Sequence, residues 1–230
     1  MQKDFGEFEK KIGFKFKNKE LLTQAFIHRS FINENPRNKI GHNERLEFLG
    51  DAVLELTVTD FLYKKYPNEQ EGKLTAHRAA LVNAVTLSEI AVELGMNSFM
   101  MLSKGEAKDQ GKARQTILAD AIEALIGAIY EEFGYVGADK FIKKFILSKT
   151  EEVLSRGLLK DAKSKIQEKA QEIYSITPNY KVLKETGPDH DKHFIVGIYF
   201  NTEEVAKGEG KSKQEAQQSA AINGLKKLGW

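Results

Sequence analysis

The sequence has 230 residues, 41% of them hydrophobic, enough for one large folded core or for a medium and a small one. It contains no cysteine, which excludes a disulfide framework, thiolate metal sites and cysteine nucleophiles, so any bound metal must sit on oxygen or imidazole. The formal net charge of +2 is too small to imply a polyanionic partner by itself. The opening stretch MQKDFGEFEKKIGFKFKNKE is charged throughout, and no later run approaches ~18 uninterrupted apolar residues. Neither a signal peptide nor a membrane span is expected, and the chain reads as cytoplasmic.

Up to about residue 155 apolar residues recur at helical spacing, predicting helices near 4–11, 18–28, 43–65, 70–95 with a break, 107–133 and 136–155. Dense apolar periodicity is then lost, with a break at Gly157. The expected organisation is an all-α domain over 1–150, a flexible linker over 151–160 and a small α+β domain of order α-β-β-β-α over 161–230. In the small domain Ile166, Ala170 and Ile173 mark one helix face. Tyr180 and Val182 begin a strand, and Phe194, Val196, Ile198 and Phe200 alternate onto one side of a second. A third strand covers 203–208. Ser212 followed by Glu215 has capping-box spacing and starts a last helix, whose buried stripe is Ala216, Ala220, Asn223 or Gly224, and Leu225.

The stretch HNERLEFLGDAVLEL, residues 42–56, carries the most chemical information. At about 100° per residue, Glu44, Glu47 and Asp51 fall within roughly 60° of one another, while Leu46, Leu49, Val53 and Leu56 point to the other side. TILADAIEALIGAIY, residues 116–130, repeats the design with Asp120 and Glu123, backed by Leu118, Ile122, Leu125 and Ile129. Arg45 is the only basic residue between Glu44 and Thr57, and none lies between Ile117 and Glu132. Acidic residues at such spacing are often a solvated helix face. Here each run is apolar around them, with Gly50, Ala52, Ala124, Gly127 and Ala128 nearby, which implies burial on several sides. Packed acid to acid, these helices would gather carboxylates that repel unless they share protons or hold divalent cations, and hard oxygen ligands point to Mg²⁺ or Mn²⁺. Such a site can activate water and stabilise a phosphodiester transition state.

NERLEFLGDAVLE resembles the characteristic motif of the ribonuclease III family, and LADAIEALIGAIY its second acidic motif. The similarity runs on through AFIHRSF, LTAHRAALVN and GEAKDQGKARQTILAD and covers essentially the whole chain. The resemblance implies a homodimeric, Mg²⁺-dependent endonuclease that cuts opposite strands of double-stranded RNA. Its products would carry 5′-phosphate and 3′-hydroxyl ends with short 3′ overhangs, and its role would lie in processing ribosomal RNA precursors, messenger RNAs and other structured RNAs. It implies metal ligands at Glu47, Asp51, Asp120 and Glu123, with Asp51 and Glu123 catalytic, a supporting acid at Glu44 and a dimer-interface residue at Phe48, which could equally be an ordinary core aromatic. Ala76, His77 and Thr116 depart from common family residues. Arg78, Lys104, Lys108, Lys112 and Arg114 are candidate phosphate contacts or plain surface charge, and His28 and Arg29 read as structural.

The C-terminal segment resembles a double-stranded RNA-binding domain in three places. Ser164, Gln167, Glu168 and Gln171 lie opposite Ile166 and Ala170 and suit 2′-hydroxyls and base edges of a shallow minor groove. Pro188 and His190 sit in a strand turn aimed at the next minor groove. Lys211, Ser212 and Lys213 open a helix whose free N–H groups and positive dipole end suit phosphates. Gln214 stands where many relatives have lysine. Two other classes compete: a catalytically silent RNA-binding scaffold, which a missing ligand position would favour, and a small-molecule phosphohydrolase, for which no P-loop is present.

Overall fold

The computed structural model describes residues 3–109, 111–188 and 192–230, and for 156–161 the backbone alone. Its elements are α1 (Gly6–Ile12), α2 (Lys19–Ala25), α3 (Arg29–Glu34), α4 (Glu44–Lys65), α5 (Glu71–Val82), α6 (Ala84–Leu94), α7 (Lys112–Phe145), α8 (Thr150–Tyr174), β1 (Asn179–Thr186), β2 (His193–Phe200), β3 (Glu203–Gly210) and α9 (Lys213–Leu228). The chain divides into two compact units, Met1–Val153 and Leu154–Trp230.

In the first unit polar caps set the helix ends. Asn18 accepts from the N–H groups of Glu20 and Leu21 to start α2, and the break expected within 70–95 falls at Asn83, which accepts from the Thr86 N–H to start α6. Gly134, at φ 68°, kinks α7 between the two helices predicted there. The short α3 was not expected, because its cap is His28, whose side chain accepts from the Ser30 N–H in place of the usual Ser, Thr, Asp or Asn. A helix starting there leaves α2 ending at Ala25 instead of near 28.

At the centre α4 crosses α7. Leu46, Val53, Leu54, Val58 and Leu62 from α4 and Leu118, Ile122, Leu125, Ile126 and Ile129 from α7 belong to one buried core. The approach is set by two glycines. A Cβ on Gly50 would lie 1.8 Å from the Glu123 carbonyl oxygen, and one on Gly127 would lie 2.1 Å from the Leu46 carbonyl oxygen. The backbones therefore touch without side chains between them. Leu56, expected on the packed face, is 59% exposed, while Thr57 beside it is buried and its hydroxyl donates to Tyr135 Oη at 3.4 Å. The buried arc of α4 is centred on Gly50 and not on the leucine count. Ala52, expected in crowded surroundings, is likewise exposed.

In the second unit three antiparallel strands run in the order β1-β2-β3. Val196 and Ile198 on β2 are fully buried, and α9 lies against the sheet through Ala216, Ala220, Ala221, Gly224 and Leu225. Asn223 instead stays exposed and donates to the Lys207 carbonyl at 2.8 Å. From α8, Ala162, Ile166 and Ala170 are buried; Ile173, expected with them, is 50% exposed in the last turn, just before the helix ends at Tyr174 and Ser175 takes φ 55°. Residues 151–160, expected as a linker, have helical backbone inside α8. The single Gly157 costs a helix about 1 kcal/mol against alanine, which the good helix formers around it offset. No helix among the described residues is long and apolar enough to cross a membrane.

The α4–α7 crossing predicts an inverted glycine effect. By helix propensity alone, Gly127→Ala would stabilise by about 1 kcal/mol. The clash with Leu46 reverses the sign, and urea unfolding should show a loss of at least about 2 kcal/mol. Gly72→Ala in α5, where an added Cβ meets nothing within 4 Å, is the control and should be neutral or stabilising. An unchanged midpoint for Gly127→Ala would show that the helices separate freely.

Candidate metal centre and RNA-contact surfaces

The glycine contact brings acid against acid. Glu47 lies one turn before Gly50 on α4, Glu123 lies one turn before Gly127 on α7, and Asp120 is a further turn back. Each of these three offers a carboxylate oxygen, and the three oxygens lie within 4.8 Å of one another. All are half-buried. Burial first, then the charges of Asp120, Glu44 and Asp51, pushes the Glu47 carboxyl up to about 7. Burial, then Asp51, Asp120, Glu47 and Glu55, pushes Glu123 up to about 8. Asp120 is raised by burial and by Glu44. Among the described residues no Lys, Arg or His forms an ion pair with any of the three. Carboxylates so placed are satisfied by protons or by a multivalent cation, and an all-oxygen set of this density fits a hard divalent metal.

Asp51, also expected as a ligand, is not in that trio. It is exposed, one turn after Glu47, and acts on Glu47 and Glu123 through its charge. Glu44 stands at the start of α4, where Arg29 Nη1 reaches it at 3.3 Å and His42 Nδ1 lies 3.7 Å away. Arg78 Nε pairs with Glu55 at 2.9 Å and its Nη1 donates to Thr59 at 3.0 Å. Arg78 is therefore held by α4, and the cations near the cluster engage its rim at Glu44 and Glu55 and leave the trio without a paired cation. Glu55 was missed in the sequence, although it extends the stripe of Glu44, Glu47 and Asp51 by one more turn. Lys104, Lys108 and Lys112 are exposed, and one Arg114 guanidinium nitrogen is buried without a hydrogen-bond partner. Ala76 is exposed, His77 lies against the Tyr66 ring with centroids 5.5 Å apart, and Thr116 Oγ1 donates back to the Lys112 carbonyl.

Phe48 is 81% exposed, which excludes the ordinary-core reading within this chain. With Leu56 at 59% and Tyr63 at 73% it forms an apolar stripe along the outer side of α4.

In the second unit Ser164, Gln167, Glu168 and Gln171 all lie exposed along α8, opposite buried Ile166 and Ala170. Pro188 is exposed after β1, and His190 lies outside the described residues. Lys211, Ser212 and Lys213 are exposed at the start of α9. Ser212 Oγ accepts from the Glu215 N–H at 3.1 Å, and the Glu215 carboxylate accepts from the Lys211 N–H at 2.8 Å, one residue before the position a capping box uses. Two backbone donors are thus engaged internally, so attraction for a phosphate here falls mainly to the two lysine ammonium groups, Lys213 also lying 5.7 Å from the Phe194 ring centroid.

Residues 18–150 match the family model described as Ribonuclease-III-like, and residues 162–228 match the Double-stranded RNA binding motif. Ribonuclease 3 from Borreliella afzelii is 45% identical over 222 residues, covering 96% of this chain and 90% of the relative. Ribonuclease 3 from Bdellovibrio bacteriovorus is 43% identical, with 94% and 93% covered. A solved nuclease domain of ribonuclease III from Campylobacter jejuni, described as flexible in a region involved in dimer formation, superposes with a TM-score of 0.57 at 40% identity, covering 62% of this chain and 96% of that one.

The raised carboxyls make stability depend on pH in a defined direction. Glu123 binds its proton more tightly folded, at about 8, than at its ordinary 4.5, so folding is favoured in acid and loses that contribution as pH rises from about 4.5 through 8. In EDTA, the melting temperature of Glu123→Gln relative to wild type should climb across this window and level off above it. A divalent cation should stabilise wild type more at pH 8 than at pH 5.5. A difference between the two proteins that stays flat with pH would contradict the crowding of the cluster.

Proposed function

The chain belongs to the ribonuclease III family and is a double-stranded-RNA-specific endoribonuclease, and on that premise we propose how its residues divide the work. Glu47, Asp51, Asp120 and Glu123 are the metal ligands, with Asp51 and Glu123 the catalytic pair and Glu44 a supporting acid. The observation that carries this reading is the trio of carboxylate oxygens within 4.8 Å of one another, with Glu123 and Glu47 pushed up to about 8 and 7. The cation is Mg²⁺, replaceable by Mn²⁺; when bound it would polarise the phosphodiester and make water a better nucleophile. Asp51, exposed one turn after Glu47, would complete the donor set, and the half-buried carboxylates of Glu47, Asp120 and Glu123 would hold their geometry through turnover.

Duplex capture is assigned to Ser164, Gln167, Glu168 and Gln171, to Pro188 and His190, and to Lys211, Ser212 and Lys213, in a domain over 161–230 joined by 151–160 to the catalytic and dimerisation domain over 1–150. Recognition of this kind reads duplex shape more than base sequence. Two copies of the chain pair, with Phe48 of each buried in the other, so that two centres cut opposite strands. Products carry 5′-phosphate and 3′-hydroxyl ends with short 3′ overhangs, and the cellular role is cytoplasmic processing of ribosomal RNA precursors, messenger RNAs and other structured RNAs. Support for pairing is the exposed stripe of Phe48, Leu56 and Tyr63, large apolar side chains that water does not favour.

Glu123→Ala and Asp51→Ala should each lower Mg²⁺-dependent cleavage of a long RNA duplex by at least about 10²-fold, with duplex affinity within about threefold of wild type. Cleavage at the wild-type rate by either variant would remove that residue from the site. End analysis of wild-type products tests the cut geometry. Phe48→Asp should convert the dimer to monomer in sedimentation, since a buried unpaired charge costs several kcal/mol at an interface; a dimer of wild-type affinity would displace Phe48 from the contact.

A further inference from the structure

The short helix α3 holds the backbone of a lysine-bearing loop. Ser30 Oγ accepts from the Ser103 N–H at 3.0 Å, and both oxygens of the Glu34 carboxylate accept from the Lys104 N–H at 3.2 Å. The loop then closes on itself: Ser103 Oγ accepts from the Glu106 N–H, the Ser103 carbonyl from Ala107, and the Gly105 carbonyl from Lys108. Behind α3 the chain is pinned to the segment leading into the loop, with the His28 N–H on the Met101 carbonyl at 3.0 Å and the Met101 N–H on the Phe26 carbonyl at 2.8 Å.

The hydrogen-bond directions are determined. His28 Nδ1 caps α3 by accepting from the Ser30 N–H at 3.3 Å, and a ring nitrogen that accepts there can also take the Ser30 hydroxyl proton, 2.8 Å away, while Ser30 Oγ receives the Ser103 N–H. Nδ1 therefore carries no proton. Burial, the largest influence on His28, lowers its pKa and favours that neutral form. Glu34 is an acid beside a lysine, yet it takes the lysine's backbone N–H. Lys104 and Lys108 are exposed, and among the described residues neither ammonium group is paired with a carboxylate. The loop leads into α7, which begins at Lys112, eight residues or about 12 Å of helix rise before Asp120. At its other end α3 places Arg29 on Glu44.

We propose that α3 is a latch that fixes the loop over 103–109 beside the carboxylate centre so that Lys104 and Lys108 meet duplex phosphates, with Ser30 and Glu34 as its positioning residues. This rests on the double-stranded-RNA reading above. Without the latch the loop's lysines keep their charge and lose their placement, and a phosphate contact then has to be ordered during binding.

The test uses the full chain, an RNA duplex of about 40 base pairs, long enough for more than one binding module, and EDTA to prevent cutting, with affinity measured over a range of salt. Lys104→Ala should weaken binding and reduce the slope of log affinity against log salt by about one. Ser30→Ala removes no charge, yet should reduce the slope similarly, and so should Glu34→Ala, although it removes an acid near a polyanion. Ser30→Thr, which keeps the hydroxyl, should restore the wild-type slope. The double variant Ser30→Ala with Lys104→Ala should be no weaker than Lys104→Ala alone. Melting temperatures identify an unfolded variant, in which case Glu34→Ala, at an exposed position, carries the comparison. An unchanged slope in both Ser30→Ala and Glu34→Ala, or strict additivity with Lys104→Ala, overturns the latch while leaving the nuclease reading intact. Failure of wild type to cut the duplex when Mg²⁺ is restored overturns the nuclease reading and the latch with it.

Discussion

Everything at the carboxylate centre depends on two backbones touching. Gly50 presses against the Glu123 carbonyl and Gly127 against the Leu46 carbonyl, so the registers of α4 and α7 are locked to each other at the residues that flank the acids. Helix packing through larger side chains tolerates shifts of an ångström, because rotamers adjust. Carbonyl oxygens against missing Cβ atoms do not adjust. The rigidity is needed because the trio repels itself: three acids within 4.8 Å, partly removed from water, would drive a looser pair of helices apart. The core along the same two helices opposes that repulsion, each fully buried Leu or Ile contributing about 1.5–3 kcal/mol.

The two acidic helices were legible because a 3.6-residue period and a charge pattern coincide over long runs. What period alone misjudged was the side of α4 that is buried. Leu46, Leu49, Val53 and Leu56 look like a packed face when apolar residues are counted, but a helix that approaches through glycine buries whatever flanks the glycine, including Thr57, and leaves Leu56 outside. Phe48 reads in the sequence as either a dimer-interface residue or a core aromatic for the same reason, since its exposure is visible only once the buried arc is known. Glu55 lies on the same stripe as Glu44, Glu47 and Asp51, one turn further on, so helix period alone places it at the edge of the acidic face. The helix α3 had no readable signal: six residues with a histidine cap fall below the length at which periodicity says anything.

The second unit was more legible than the first, for a reason of scale. A strand such as HFIVGIYF announces its face by alternation, and a Ser cap three residues before Glu215 announces a helix start, both within ten residues. Small residues along α9 follow from its distance to the sheet: a Cβ on Gly208 would lie 1.9 Å from the Ala220 nitrogen, the same backbone contact that sets the α4–α7 crossing. What no local pattern reveals is how the Glu215 carboxylate is used. It turns to the Lys211 N–H, one residue before the helix cap, and so takes up a backbone donor beside the proposed phosphate contact. The exposed Lys211 and Lys213 ammonium groups carry the full charges there, and their attraction for phosphate is sensitive to salt.

Sign of charge ties the parts together. A duplex carries a dense row of negative phosphates, and the centre proposed to cut it is itself an unpaired acidic cluster, so whatever charge its bare carboxylates carry repels phosphate. Cations at the rim do not cancel this, since Arg29 and Arg78 are committed to Glu44 and Glu55. Lysines on separate surfaces can hold the duplex, but they cannot seat one phosphodiester against three carboxylates. On the reading proposed above, a divalent charge held by the trio would reverse the local field and, in the same act, remove the reason for Glu47 and Glu123 to keep their protons. Substrate approach and ligand deprotonation would then be coupled. Without a cation, Glu123 at neutral pH keeps its proton and the cluster is partly discharged, a state in which the lysines of the chain still carry their charge.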